Sequence, residues 1–182
     1  MKDVRDILSA FKIHGVRIFL SFGAVLGAVR DGDFIPWDDD VDFDVVETCD
    51  YKTRKAIGWT LIDLGFKPQD IGFNVFGRIE PGGIGYNGDG ETGIIVCERN
   101  FKFSIFFYKL EGEEMVCTPL PSGTKLISNL AKFYEKPDKI KLHGETFLVP
   151  GPVKEYLTYV YGDWKTPRKG VHAPQYPQRH PQ

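Results

Sequence analysis

Seven aspartates (Asp31, Asp33, Asp38, Asp39, Asp40, Asp42 and Asp44) fall within fourteen residues of a 182-residue chain. Like charges at this density repel one another, and the crowding is costly unless a cation offsets it. From Asp40 the acids alternate with Val41, Phe43 and Val45, which is the period-two pattern of a strand. The strand reading runs from Asp40 to Val46 and puts Asp40, Asp42 and Asp44 on one face, with same-face neighbours about 6.5–7 Å apart along the backbone. Their carboxylates can converge on one hard divalent ion or bridge two, which two-metal sites hold about 3.5–4 Å apart. Oxygen ligands of this kind select Mg²⁺ or Mn²⁺ over zinc. The bland alternative is a solvated acidic edge strand. An EF-hand fits less well. Counting from Asp40, the sixth residue is Val45 where that loop needs glycine, and the twelfth is Tyr51 where it needs glutamate.

Upstream of the acids, Val16–Leu20 has the β-branched and aromatic content of a short strand, and it runs into Ser21-Phe22-Gly23-Ala24. The small residues that follow, up to Arg30, suit a helix. Free N–H groups at a helix N-terminus, with Gly23 allowing close approach, form a seat for phosphate. Arg30, near the helix end, can fork onto phosphate oxygens. A phosphate seat followed within about fifteen residues by a carboxylate metal site points to a metal-bridged phosphate ester.

The elements that must hold these residues can be read from pattern. Val4, Ile7, Leu8 and Phe11 are spaced as one face of a helix that Gly15 stops. A second helix is expected over Tyr51–Leu64, closed by Gly65 and Pro68. Strands are expected at Phe73–Ile79, Ile94–Cys97, Phe101–Leu110 and Glu114–Thr118, the last two joined by a turn at Glu111-Gly112-Glu113. A glycine-rich loop is expected over Gly82–Gly93, a short helix around Ser122–Tyr134, an extended segment at Lys139–Val149 and a last helix at Val153–Tyr161. Helices and strands mix without strict βαβ alternation, so the fold class is α+β, a mixed sheet flanked by helices.

Composition sets the class of molecule. Apolar residues make up 42% and charged residues 26%, and 23 basic against 25 acidic side chains leave −2, the balance of a globular domain. That near-neutral charge argues against a nucleic-acid partner. The longest apolar-rich run, Ile18–Val29, is too short for a transmembrane segment, although peripheral association with a membrane stays open. Acids in Met1–Asp6 argue against a signal peptide. Cys49, Cys97 and Cys117 are widely spaced and read as free thiols, with a Cys97–Cys117 disulfide the lesser alternative; the expected location is cytoplasmic.

Leu20-Ser21-Phe22-Gly23-Ala24-Val25-Leu26-Gly27-Ala28-Val29-Arg30, followed by Phe34-Ile35-Pro36-Trp37-Asp38-Asp39-Asp40-Val41-Asp42, resembles the signature of the LicD family of phosphocholine transferases, fukutin and fukutin-related protein. Lys141–Pro150 and Tyr161–Pro167 are similar to the family's C-terminal pattern. The resemblance implies a nucleotidyltransferase-type fold over residues 1–163, ahead of a basic, proline-rich tail at 164–182. It also implies metal-dependent transfer of a substituted phosphate, phosphocholine- or polyol-phosphate-like, from a nucleotide-activated, CDP-linked donor. The acceptor would be a glycan, a teichoic-acid-like polymer or a sugar. Asp40 and Asp42 match the family's metal-binding pair, with Asp38 in support as the third catalytic acid. Ser21, Gly23, Ala24 and Arg30 match its substrate-binding positions. Nucleotidyl transfer from an NTP with release of pyrophosphate is one alternative activity.

One position departs from the family. After Phe101-Lys102-Phe103 the family often carries an aspartate, and here Ser104 stands in its place. A serine is a poor base. Its presence leaves open a catalytically degenerate nucleotide-binding module, or a carboxylate supplied by Glu80 or Glu98. The remaining signals are weaker. Gly83-Ile84-Gly85-Tyr86-Asn87-Gly88 fits G-x-G-x-x-G but lacks the following helix pattern, and reads as a loop with Tyr86 available to stack on a base. His143 reads as a polar strand-end residue or a substrate contact. Trp37 reads as a packing anchor, Trp164 as a cap on the core.

Overall fold

A computed structural model describes residues 1–46, 49–68, 84–86, 93–117 and 127–168. Helix α1 (Lys2–Ile13) buries Val4, Ile7, Ala10 and Phe11, the apolar stripe of its 3.6-residue period. The strand expected over Val16–Leu20 shortens to β1 (Phe19–Leu20), because the Val16 N–H is taken by the Phe11 carbonyl at 3.1 Å. Next come α2 (Phe22–Arg30), β2 (Asp40–Val45) and α3 (Tyr51–Asp63). The Asp50 side chain caps α3 by accepting from the Thr53 N–H at 2.7 Å. The chain continues through β3 (Lys67–Pro68), β4 (Ile84–Tyr86), β5 (Gly93–Glu98), β6 (Lys102–Phe107), β7 (Lys109–Glu111), β8 (Glu114–Cys117) and β9 (Ile127–Leu130). It ends with α4 (Lys132–Glu135), the hairpin β10 (Asp138–Leu142) and β11 (Glu145–Val149), and α5 (Val153–Tyr161).

The main sheet has the order β10-β11-β1-β2-β6-β5-β3, with β4 also pairing with β5. The β1–β11 and β2–β6 pairs are parallel and the rest antiparallel, so the sheet is mixed. One face carries Val41, Phe43, Phe103 and Phe107, on which α1 and the end of α3 pack: Phe11 stacks with Phe107, and Phe66 meets Phe103 edge-on. The other face carries Asp40, Asp42 and Asp44 beside Phe106. There Phe22 of α2 meets Phe106, Tyr134 of α4 meets Phe19, and Phe133 meets Tyr156 of α5. Such offset and edge-on aromatic pairs favour one packing over many.

Several expectations need correcting. The long strand over Phe101–Leu110 is two strands in two sheets: the Tyr108 N–H closes on the Val45 carbonyl at 2.8 Å, and Lys109 then leaves to pair with β8. Residues 127–130, expected in a helix, form β9 in the small sheet β7-β8-β9. Residues 84–86, expected in a loop, pair with β5. Phe73–Ile79, Glu80, the rest of the glycine-rich segment and residues 169–182 of the tail lie outside the described residues. Trp37 is 46% exposed and is no buried anchor, whereas Trp164 packs into the core. The three cysteines are free and buried, and burial pushes the Cys97 and Cys117 thiols up to about 12.

Arg99 ties α1 to the β5–β6 turn. Its guanidinium donates to Asp3 (2.7 Å), Asp6 (2.6 Å) and the Leu64 carbonyl (2.7 Å), and lies over the Phe66 ring. Burial opposes the Asp3 charge, but hydrogen bonds from Arg99 and Asn100 outweigh it and hold the carboxyl below the usual range. At Asp6 the bonds from Lys2 and Arg99 do the same. Arg99→Met is expected to cost about 2–4 kcal/mol in urea unfolding at neutral pH. Because both folded carboxyls are depressed, the native stabilisation is lost as pH falls through their values. The gap between the two proteins therefore closes below about pH 4.

Candidate active site

Strand β2 runs from a cleft into the core, and its acids change environment along it. Asp40 keeps 22% of its side-chain exposure, Asp42 is half-buried, and Asp44 is fully buried with its carboxylate accepting from the Tyr134 hydroxyl at 2.7 Å. The shared face expected from the alternation is present. Its inner end is closed by α2 and α4, which leaves the acids chemically unequal.

The carboxylates that converge are Asp38, Asp39 and Asp40, whose oxygens lie within 4.8 Å of one another. They line a cleft of about 300 Å³ together with Ala24, Asp33, Phe34, Phe101 and His143. Gly23 makes this possible, since a Cβ there would overlap the Asp38 carboxylate. The acid thus rests against the first turn of α2, where the helix dipole favours negative charge. Gly27 serves the same loop: a Cβ would come within 2.6 Å of the Asp33 carbonyl and 2.8 Å of the Ile35 nitrogen. Ser21 precedes α2 with its N–H on the Asp42 carbonyl at 3.1 Å, and its buried hydroxyl has no hydrogen-bond partner among the described residues. Phe22 takes φ +43°, with its N–H directed at the Tyr156 hydroxyl at 3.3 Å. Arg30, expected at the phosphates, forks onto Asp31 at 2.8 and 2.6 Å.

Strand register adds Lys102, to which sequence reasoning gave no role, and places Ser104, Glu98 and His143. Asp40 lies opposite Lys102, whose ammonium is 3.3 Å from Asp39 and 3.8 Å from Asp40. Desolvation opposes the Lys102 charge, but Asp40, Asp39 and Asp42 outweigh it and hold the group above the usual lysine range. Ser104 lies opposite Asp42 and donates to the Asp40 carboxylate at 2.9 Å. Glu98 is in register with Lys102, one strand further from Asp40, and is exposed. His143, in the β10–β11 turn, bonds Asp33 at 2.7 Å. The Phe-Lys-Phe-Ser alternation could have given Lys102 the same face as Ser104. Nothing local in the sequence pairs His143 with Asp33, 110 residues away.

Residues 15–67 match the family described as LicD/FKTN/FKRP, nucleotidyltransferase domain. The likeness to that family is carried by this segment, which holds α2, the acidic loop and β2. Ribitol 5-phosphate transferase FKRP of Homo sapiens and that of Mus musculus are each 36% identical to it over 69 residues. That stretch is 36% of this chain and 14% of either relative, so the likeness covers a small part of those proteins. The crystal structure of the lincosamide antibiotic adenylyltransferase LnuA, lincomycin-bound, superposes with a TM-score of 0.52 at 15% identity, over 89% of this chain and 86% of that one. The fold of this chain is therefore the nucleotidyltransferase-type α+β fold anticipated from the signature.

The donor set of the LicD segment fits a hard divalent ion. Every carboxylate is an oxygen donor, and the cluster carries charge that Lys102 offsets only in part. Burial first, then Asp40, Asp44 and Asp38, drive the Asp42 carboxyl well above the usual range. A raised folded value means that the Asp42 contribution to stability is present at low pH and lost as pH rises through it. Without metal, Asp42→Asn is expected to unfold at the same temperature as the wild type or higher at neutral pH. It should also lose the thermal shift that Mn²⁺ gives the wild type. Melting curves across pH, with and without Mn²⁺, read both effects.

Proposed function

We propose that the protein is a metal-dependent transferase that moves a substituted phosphate, phosphocholine- or polyol-phosphate-like, from a CDP-linked donor to a glycan or other hydroxyl acceptor. The observation that carries this reading is the convergence of Asp38, Asp39 and Asp40 against the first turn of α2, within a LicD segment. Support for transfer of a phosphate group also comes from the relatives named ribitol 5-phosphate transferase.

Asp40 and Asp42, with Asp38 beside them, are the residues that would hold Mg²⁺ or Mn²⁺. The ion, when bound, offsets charge on the donor pyrophosphate and steadies the leaving nucleotide. The chain's own contribution is placement. Gly23 lets the Asp38 carboxylate approach the backbone of α2, and the dipole of that helix favours its charge. Ser104 fixes the Asp40 carboxylate in one orientation. Lys102 lowers the net charge of the cluster, so that a polyanionic donor is repelled less. Phe34 and Phe101 give the cleft apolar walls that exclude water and hold the acceptor.

A nucleotide-binding module without turnover is the second reading. It is favoured by Ser104 standing where the family often has an acid. The two separate on product. The wild type with Mn²⁺, CDP-ribitol or CDP-choline and a sugar acceptor is expected to release CMP, and Asp40→Asn to lose at least about 100-fold in rate with the fold retained. Release of pyrophosphate from CTP or ATP would instead indicate nucleotidyl transfer. Binding of nucleotide with none consumed would indicate the module.

A further inference from the structure

We propose that His143, oriented by Asp33, is the base that takes the proton from the acceptor hydroxyl. The inference rests on the transferase reading and supplies the group that reading lacks. On β6 the side chains that reach the acids are the Lys102 ammonium, which has no lone pair to accept a proton, and the Ser104 hydroxyl, already donating to Asp40 and too weak a base. Among the described side chains lining the cleft, those that titrate are Asp33, Asp38, Asp39, Asp40 and His143. Lys102 and the Met1 α-amine are the other charged groups around it. Asp38, Asp39 and Asp40 form the carboxylate cluster, and Asp33 is engaged by His143. That leaves the imidazole.

The geometry is that of a carboxylate-oriented histidine. His143 Nε2 lies 2.7 Å from Asp33 Oδ1, and the Phe34 ring flanks the imidazole at 6.4 Å between centroids. With its proton on Nε2 and shared with Asp33, the ring carries its lone pair on Nδ1. The backbone also argues for a side-chain role. His143 at φ +51° and Gly144 at φ +83° form the two-residue turn between β10 and β11. Asparagine suits the first position of such a turn better than histidine does. A histidine there is accounted for by what its ring does.

The step balances. The acceptor O–H gives its proton to Nδ1 while its oxygen lone pair forms the new bond to phosphorus. The bond from phosphorus to the leaving nucleotide oxygen breaks, and its electron pair departs with the nucleoside monophosphate. Asp33 offsets the imidazolium charge until the proton passes to water.

The test uses His143→Asn, which the turn accommodates, so loss of activity cannot be ascribed to misfolding. With saturating donor and Mn²⁺, kcat is expected to fall about 10²–10⁴-fold, with the donor KM within about twofold. An exogenous imidazole base should restore part of the lost rate in His143→Asn and leave the wild type unchanged. Independently of turnover, the ring ¹⁵N resonances of neutral His143 should report one tautomer, with the proton on Nε2, and a mixture of the two in Asp33→Ala, because the carboxylate that fixes the proton is gone. A His143→Asn kcat within about threefold of wild type across pH overturns the role of base and leaves the transferase reading standing. A tautomer balance unchanged in Asp33→Ala overturns the dyad. Wild-type protein that turns over none of the donors removes the transferase reading and this inference together.

Discussion

Repulsion among carboxylates fixed to one short segment is the constraint on which the rest of this structure depends. A strand cannot relieve it, because the pleat returns every second side chain to the same face. The fold manages it by giving each acid a different fate. Asp44 is drawn into the core against Tyr134, Asp42 is left half-buried under pressure to stay neutral, and Asp40 receives Ser104 and Lys102 from the next strand. Asp38 is laid against the start of α2. The outer acids keep spare lone pairs facing a cleft, and a cation added there would relieve the repulsion on Asp42 as well.

Holding those outer acids in place needs close backbone approach, and two glycines one turn apart on α2 provide it at the two ends of the same loop. Gly23 leaves room for a side chain and Gly27 for a main chain. A helix carrying two glycines in nine residues is intrinsically weak. The burial of Phe22, Val25 and Leu26 against the sheet and α5 stabilises it instead. Packing of the non-acidic part of the face is thus what allows the acidic part to exist.

The sequence disclosed the parts of the site that follow one another along the chain. The acid–apolar alternation, the glycines and the helix to Arg30 are local patterns, and β2 and α2 appear where those patterns put them. What it hid depends on register and on long-range closure. The ladder of Asp40 to Lys102 and Asp42 to Ser104 is set by parallel pairing of strands sixty residues apart, with no local signature. The Arg30–Asp31 fork is a further contact that the motif did not announce, made by an acid one residue away. Propensity misled at 127–130, where residues compatible with a helix are recruited as a third strand for β8.

Ser104 and Lys102 are best understood together. A third carboxylate opposite Asp42 would add charge to a cluster that already drives one member toward neutrality. A hydroxyl there adds none, and its proton consumes an Asp40 lone pair. An ammonium one register step outward removes a further unit of repulsion. Both changes lower the cluster's demand for cations, and both weaken its capacity to accept a proton from a substrate. On the transferase reading proposed above, such a site takes its base from outside the strand pair. The β10–β11 turn, reaching into the same cleft from the far end of the sheet, is where the chain places an imidazole.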